Sequence, residues 1–265
     1  MIIIIFGRFF INLPFIKNGN IHKTKIKACF KKDNSMKNCN LCLIHQLNSF
    51  KTLSKKDLDF ISEHKKVLHY KKGDLILEEG KPSRSVFCLM SGKGKLSKYN
   101  SSGKEQIIRF VKSGNLIGYR SVFNDEAVTL NLTAIEDVTA CVIPKDAFKS
   151  LLANKDFTLE MLRLLSNDLK LANMVISHLA QHSVRERLAE TLLHLEDVFG
   201  TDRDGNINIL LSREELANII GTASESVIRI LSSFKKEGII YSKAKRIKLL
   251  DKNRLYNISE GLEPK

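Results

Sequence analysis

The hydrophobic period of the chain changes at Pro144, and this constrains the fold more than any other feature. From Lys65 to Pro144 the apolar residues come in short runs: VLHY, LILEE, SVFCLM, KLSKY, QIIRFV, NLIGY, TLNLTAI and TACVI. Turn residues stand between them, at Lys72-Gly73-Asp74, Gly80, Gly92 and Gly94, Asn100 to Gly103, Ser113-Gly114-Asn115 and Asn124-Asp125. Strands this short at this spacing predict an antiparallel barrel or sandwich. Beyond Pro144 the period is helical. Leu162, Leu165, Leu169, Ala172, Ile176 and Leu179 step by three and four residues in turn, the a/d spacing of a helix–helix seam. Such a helix could cover the barrel or pair with a second copy. The length of the seam, and its place between two compact regions, favour a dimer interface.

Helices are expected over residues 47–64, with Ser54 as N-cap, and over 184–199, where Val184, Leu188, Leu192 and Leu195 share one face. Asp202 to Gly205 reads as a polar turn and Ile207 to Leu211 as a short strand. Next comes LSREELANIIGTASESVIRILSSFKKEGII. Ser212 and Glu215 form a capping box, and Leu216, Ile219 and Ile220 give the first helix an apolar face. Gly221 permits the left-handed turn that ends it. Ser224 is placed to cap a second helix with Val227, Ile230 and Leu231 inward, and Ile239 to Leu250 reads as a hairpin. This is helix-turn-helix spacing followed by a wing. A recognition helix enters the major groove by its N-terminal residues, so Ser224, Glu225 and Arg229 are the candidate base contacts. Arg can donate twice to guanine and Glu can accept from cytosine. Ser212, Arg213, Thr222, Ser226, Lys243, Lys245 and Arg246 are the candidate backbone contacts. Residues 235–254 hold eight Lys or Arg against two acids, beside the reading head, as phosphate positioning requires.

The whole chain of 265 residues carries 43 Lys and Arg against 29 Asp and Glu, a net +14 that points to a polyanion. Part of that charge sits in an unusual N-terminus. Residues 1–16 are almost wholly apolar but too short to span a bilayer, and no signal-peptidase-like site follows. Residues 1–35 contain seven of the basic residues and one acid. Met36 is the expected true start, with 1–35 an upstream extension. No stable membrane insertion is expected. Five cysteines imply no disulfide framework and favour a reducing cytoplasm. GxSxG, HExxH, P-loop and GxGxxG patterns are absent, which argues against an enzyme.

From Met36 onward the chain resembles the Crp/Fnr superfamily of bacterial transcription regulators. The likeness lies in KKGDLILEEGKPSRSVFCLMSGKGKLSKY, GNLIG, RERLAETLLHL and the helix-turn-helix followed by KKEGII. The resemblance implies an N-terminal antiparallel β-roll, of the cyclic-nucleotide-binding-like jelly-roll type, over 36–155. A dimerisation helix over 156–181 and a winged helix-turn-helix over 182–265 would complete the α+β chain. It also implies a homodimer on double-stranded DNA, a palindromic site with TGA-type half-sites, and RNA polymerase as a partner. In the family, residues at the positions of Glu225 and Arg229 read that half-site. Ser224 replaces an Arg of the cAMP-responsive branch, and Ile228 replaces the Fnr-type Ser. A regulatory module that works through a protein partner without DNA is the alternative function.

The effector is left open. The cAMP branch needs a Glu, matched here by Asn115, and an Arg on the phosphate, whereas no Arg lies in 127–135. cAMP is therefore not the ligand expected. The iron–sulfur branch uses four thiolates. Cys39-x-x-Cys42 and Cys141 match three of its positions, and Asn48 stands at the remaining one. A cluster, or a thiol or metal sensor using Cys39 and Cys42, are both compatible with that pattern. Cys88, in mid-strand, reads as core.

Overall fold

A computed structural model describes residues 39, 42–101 and 103–262 of the chain, with the side chains of Leu43, Leu47, His178 and Leu179 outside that description. The N-terminal extension, Met36 and the Leu179 side chain therefore lie outside the described residues. The chain divides into two compact units. One contains the residues up to Tyr99 together with Ile108–Leu169, and the other contains Asn100–Ile107 and the residues from Lys170 onward.

All eight strands expected before Pro144 form. They are β1 (Lys66–Tyr70), β2 (Leu75–Leu77), β3 (Ser85–Ser91), β4 (Lys93–Tyr99), β5 (Glu105–Lys112), β6 (Leu116–Ile117), β7 (Asn131–Ala134) and β8 (Val138–Pro144). Two four-stranded sheets result, ordered β1-β8-β3-β6 and β2-β7-β4-β5. The pairings β1–β8, β3–β8, β3–β6, β2–β7 and β4–β7 are antiparallel, which makes this half a jelly roll.

Strands β3 and β8 carry unbroken apolar runs because both of their faces are buried. Side chains alternate across a strand. Phe87, Leu89, Val138 and Ala140 thus join Leu96, Val111 and Leu132 in the core between the sheets. Val86, Cys88, Met90, Cys141 and Ile143 face a second core on the other side. Helices and 3-10 turns complete that second core: α1 (Lys55–His64), α2 (Tyr119–Asn124), α3 (Lys145–Ser150) and the start of α4 (Lys155–Gln181). Its centre is aromatic, with the Phe50 and Phe157 rings stacked at 5.9 Å and Phe148 edge-on to Phe157 at 5.7 Å. Such pairs add to the area they bury.

Helix α4 is also held by polar groups. Asp168 accepts from Arg109 Nη1 at 2.9 Å on β5 and from the Tyr119 hydroxyl on α2. Burial, with the Asp168 charge, pushes the Tyr119 hydroxyl well above its usual range and keeps it a donor.

The second unit contains α5 (Val184–Phe199), α6 (Arg213–Ile220), α7 (Ser224–Lys236), the hairpin β9 (Ile240–Lys243) and β10 (Arg246–Leu249), and α8 (Lys252–Ser259). Three local expectations change. The helix expected over 47–64 starts only at Lys55, because Ser54 forms a full capping box with Asp57 and the preceding residues form two short 3-10 turns. Ile207 to Leu211 makes no strand. Ile207, Ile209 and Leu211 alternate inward as a strand would, but the backbone makes only the isolated bridge Thr201↔Ile207 and single bonds such as Ile207 N to Ile247 O, not a ladder. Ser224 is not a cap: Ala223 holds that position with extended φ and ψ, and α7 begins without a side-chain cap.

At the β3–β4 turn Gly92 has φ +86°, and a Cβ there would lie 2.3 Å from the Asp137 carbonyl oxygen and 2.8 Å from Val138 Cα. Both are backbone atoms and cannot swing away. Gly92→Ala is expected to cost about 2–4 kcal/mol, read as a lower urea midpoint with an unchanged slope.

Candidate nucleic-acid interface and thiol cluster

The reading head is built from its caps outward. Ser212 N donates to Glu215 Oε2 at 2.7 Å, and Glu215 N donates to Ser212 Oγ at 3.0 Å, so the expected capping box opens α6. Gly221 closes it in the left-handed conformation at φ 67°. Helix α7 then buries Val227, Ile230, Leu231 and Phe234 and exposes Glu225, Ile228, Arg229 and Ser232. Among the described residues no ion pair joins Glu225 to Arg229, so both heads face solvent. Ile228 is 53% exposed, which is unusual for a β-branched apolar residue and sets it on the same face.

The other sequence candidates divide. Ser224, Thr222 and Ser226 are half-buried around the start of α7, and Lys243 and Lys245 are exposed on the wing. Arg246 is exposed and pairs with Asp202 at 2.9 Å. Arg213 turns into its own domain, where Nη2 donates to Ser242 Oγ at 2.7 Å and Nη1 is enclosed without a partner. That bond ties α6 to the wing.

A positioning network went unassigned in the sequence. Glu237, at the end of α7, accepts from Arg185 at 2.8 Å and from Arg254 at 3.0 Å and also receives the Ser233 hydroxyl. The Arg185 guanidinium lies 4.6 Å from the centre of the Phe234 ring. Arg187 Nε donates to Ile220 O at 3.0 Å, at the end of α6. These bonds join α5, α7 and α8 and fix the direction of the recognition helix. Arg185 and Arg187 fall in the quoted RERLAETLLHL segment, where their spacing alone carried no partner.

In the first unit, Cys39, Cys42, Cys88 and Cys141 are all free and buried in the same core cluster. Cys88 and Cys141 are register partners across β3 and β8. Asn48 Nδ2 donates to Cys88 Sγ at 3.2 Å, and the Cys141 thiol donates to Met90 Sδ at 3.2 Å. Burial pushes the Cys88 thiol well up and the Cys141 thiol up to about 11, and raises Cys42 too. These placements do not suit a four-thiolate cluster. Among the described residues no three His, Cys, Asp or Glu side chains converge as metal ligands. The remaining ligand position holds the Asn48 amide, and an ammonium, Lys65 Nζ, is buried beside the sulfurs. For a cyclic nucleotide, residues 127–135 hold no Arg, Arg120 on α2 is exposed, and Tyr119 is committed to Asp168.

On α4, Leu162, Leu169 and Ile176 are 58%, 63% and 66% exposed, and Ala172 is exposed as well. Leu165 is half-buried and packs on the roll's second core. No helix among the described residues is long and apolar enough to cross a membrane.

Residues 67–155 match the cyclic nucleotide-binding domain family, and residues 186–258 match the Crp-like helix-turn-helix domain family. The regulatory protein HlyX of Actinobacillus pleuropneumoniae is 30% identical over 215 residues, covering 79% of this chain and 88% of HlyX. The CRP-like cAMP-activated global transcriptional regulator of Mycobacterium tuberculosis is 28% identical, covering 70% of this chain and 84% of its own length. A CRP/FNR-family transcriptional regulator of Thermus thermophilus superposes with a TM-score of 0.63 at 27% identity, covering 74% of this chain and 98% of that one. FixK2 of Bradyrhizobium japonicum gives a TM-score of 0.64 at 23% identity, with 73% and 96% covered.

The Glu237 network also makes a pH prediction. The Arg185 bond holds the Glu237 carboxyl below its usual range. A depressed folded-state pKa contributes stability above the unfolded value, and that stability fades as pH falls through the folded one. Glu237→Gln is therefore expected to lose about 1–2 kcal/mol near neutral pH. The gap to wild type should close as the pH drops toward 4 and below, in thermal melts across that range.

Proposed function

Because the chain belongs to the Crp/Fnr superfamily of DNA-binding transcription regulators, we propose that it works as a homodimer reading a palindrome with TGA-type half-sites. The observation that carries the reading is the face of α7. Glu225 and Arg229 stand together, exposed and unpaired with each other, on a helix fixed from behind by Glu237. Arg229 can donate to guanine O6 and N7 while Glu225 accepts from cytosine N4. Lys243, Lys245 and the half-buried hydroxyls of Thr222, Ser224 and Ser226 lie where phosphates flank such a helix.

Dimerisation rests on Leu162, Leu169 and Ile176, which repeat every seven residues and stay exposed on α4. A barrel-covering helix would bury that stripe. Pairing two copies along it would set two recognition helices for successive major grooves, about 34 Å apart. RNA polymerase is then the partner through which a bound dimer changes transcription, and the cytoplasm is where both polymers meet. The Mycobacterium tuberculosis relative is described as cAMP-activated, but the lack of an Arg in 127–135 makes a different signal the better reading here.

Mobility shift on a TGA-containing palindrome, against a scrambled duplex of equal length, tests the reading. Arg229→Ala is expected to lose roughly 1–3 kcal/mol per half-site contact and with it the sequence preference. Retained preference would remove Arg229 from the reading head. Ile176→Glu is expected to sediment as a monomer and to lose palindrome binding while its winged helix stays folded by circular dichroism.

A further inference from the structure

DNA reading uses none of the groups gathered behind β3 and β8. Four thiols, the Met90 thioether and one ammonium lie there. Lys65 follows α1 directly, and its backbone N donates to Ile61 O at 2.9 Å. That bond leaves the side chain to run inward. Its Nζ is enclosed and makes no hydrogen bond. The groups of opposite potential charge that face it are the sulfurs of Cys39, Cys42 and Cys141.

The two cysteine pairs are not equivalent. Cys88 and Cys141 are locked in a strand ladder, one taking the Asn48 amide and the other bonded to Met90. Cys39 and Cys42 lie outside both sheets, in a turn closed by Cys42 N donating to Cys39 O at 3.1 Å. A turn of that size keeps its end Cα atoms within about 7 Å, and a disulfide spans about 4.4–6.8 Å. Cys88 and Cys141 are tied into the ladder of both strands, whereas Cys39 and Cys42 belong to neither sheet.

We infer that Cys39 and Cys42 are a dithiol switch, oxidised to a disulfide by hydroperoxides, with the Lys65 ammonium as the fixed charge beside the attacking Cys39 sulfur. The attacking sulfur forms an S–O bond as the peroxide O–O bond breaks, and the leaving oxygen takes a proton as alcohol or water. The Cys42 sulfur then forms the S–S bond. The S–O bond breaks, and its oxygen leaves as water with the remaining proton. Two thiols lose two electrons in all, and one peroxide gains them. Lys65 keeps its proton throughout. Once the disulfide has formed, neither sulfur can become an anion to offset the enclosed ammonium, a costly arrangement. The segment up to Leu53, anchored by Phe50 on Phe148 and Phe157, must then reposition.

The test uses the full-length reduced protein without oxygen. Cumene hydroperoxide is added, free thiols are alkylated at intervals, and the peptides are mapped by mass. The expected result is loss of two thiols and a linked peptide joining Cys39 to Cys42. Cys42→Ser should leave a dimedone-reactive sulfenic acid on Cys39, and Cys88→Ser should oxidise as wild type. Lys65→Met should slow the reaction at least roughly tenfold, as expected when a positive charge is removed from beside an attacking sulfur, and Lys65→Arg should restore most of the rate. A Cys88–Cys141 link, an unchanged rate in Lys65→Met, or thiols masked by stoichiometric metal in the purified protein would each overturn the inference. If Lys65→Met does not fold, the Cys39→Ser and Cys42→Ser pair decides alone, since only the second should carry the sulfenic acid. Palindrome binding by the reduced protein is measured separately, so failure of the switch leaves the DNA reading intact.

Discussion

Burial of β3 and β8 on both faces is the constraint from which the rest of the β-roll half follows. A strand between two cores cannot alternate polar and apolar residues, so SVFCLMS and VTACVIP are apolar almost throughout. The two-residue period then sorts each run. Phe87 and Leu89 close the sandwich, while Val86, Cys88 and Met90 need a cover on the opposite side. That demand recruits α1, α3, the 3-10 turns and the first turns of α4. It also brings four thiols together, because cysteine is small and apolar enough to sit where two layers approach closely. The sulfur cluster is thus a product of packing before it is anything chemical. Lys65 is the member that packing does not explain, since an enclosed ammonium that makes no hydrogen bond adds nothing to an apolar core.

The winged helix is organised differently, by one carboxylate. Glu237 collects two guanidinium groups and a hydroxyl at the point where α7 ends, so α5, α7 and α8 share one charged junction. Charged bonds of this kind are directional in a way apolar contact is not. The reading face carries Glu225, Ile228 and Arg229 unsupported by one another, and its aim is therefore set from the far side of the helix. The Arg213 bond to Ser242 does the same for the wing.

What could be read from the sequence follows from this division. All eight roll strands were legible because glycine and asparagine turns bracket every apolar run, and both helices of the reading head were legible from the capping box, Gly221 and the inward residues. The 3-10 turns before Ser54 were not, because residues 47–53 keep an apolar spacing that a helix and two tight turns share. Helices α2 and α3 are too short to show a period. The apparent strand at 207–211 alternates correctly, but alternation reports burial rather than pairing, and its neighbours offer no ladder. Ser224 was misplaced by a single residue, within the ordinary uncertainty of a helix end. The Glu237 junction joins residues far apart in the chain, and no local pattern announces it. Lys65 was likewise invisible as a site residue, since its meaning lies in what it faces.

Helix α4 shows how one element can serve two partners. Its first turns give Phe157 and Met161 to the roll's core, and Leu165 still leans on that core. Asp168 adds a polar tie through Arg109 and Tyr119. The remaining face presents Leu162, Leu169 and Ile176 to solvent as an apolar stripe. Leu162 and Leu169 of the stripe lie on the part of α4 that packs with the roll. An effector can bias that packing only by its difference in affinity for two packed states. Groups that meet the start of α4 directly, among them Phe50 on the Cys39–Leu53 segment, are where that difference is most cheaply made.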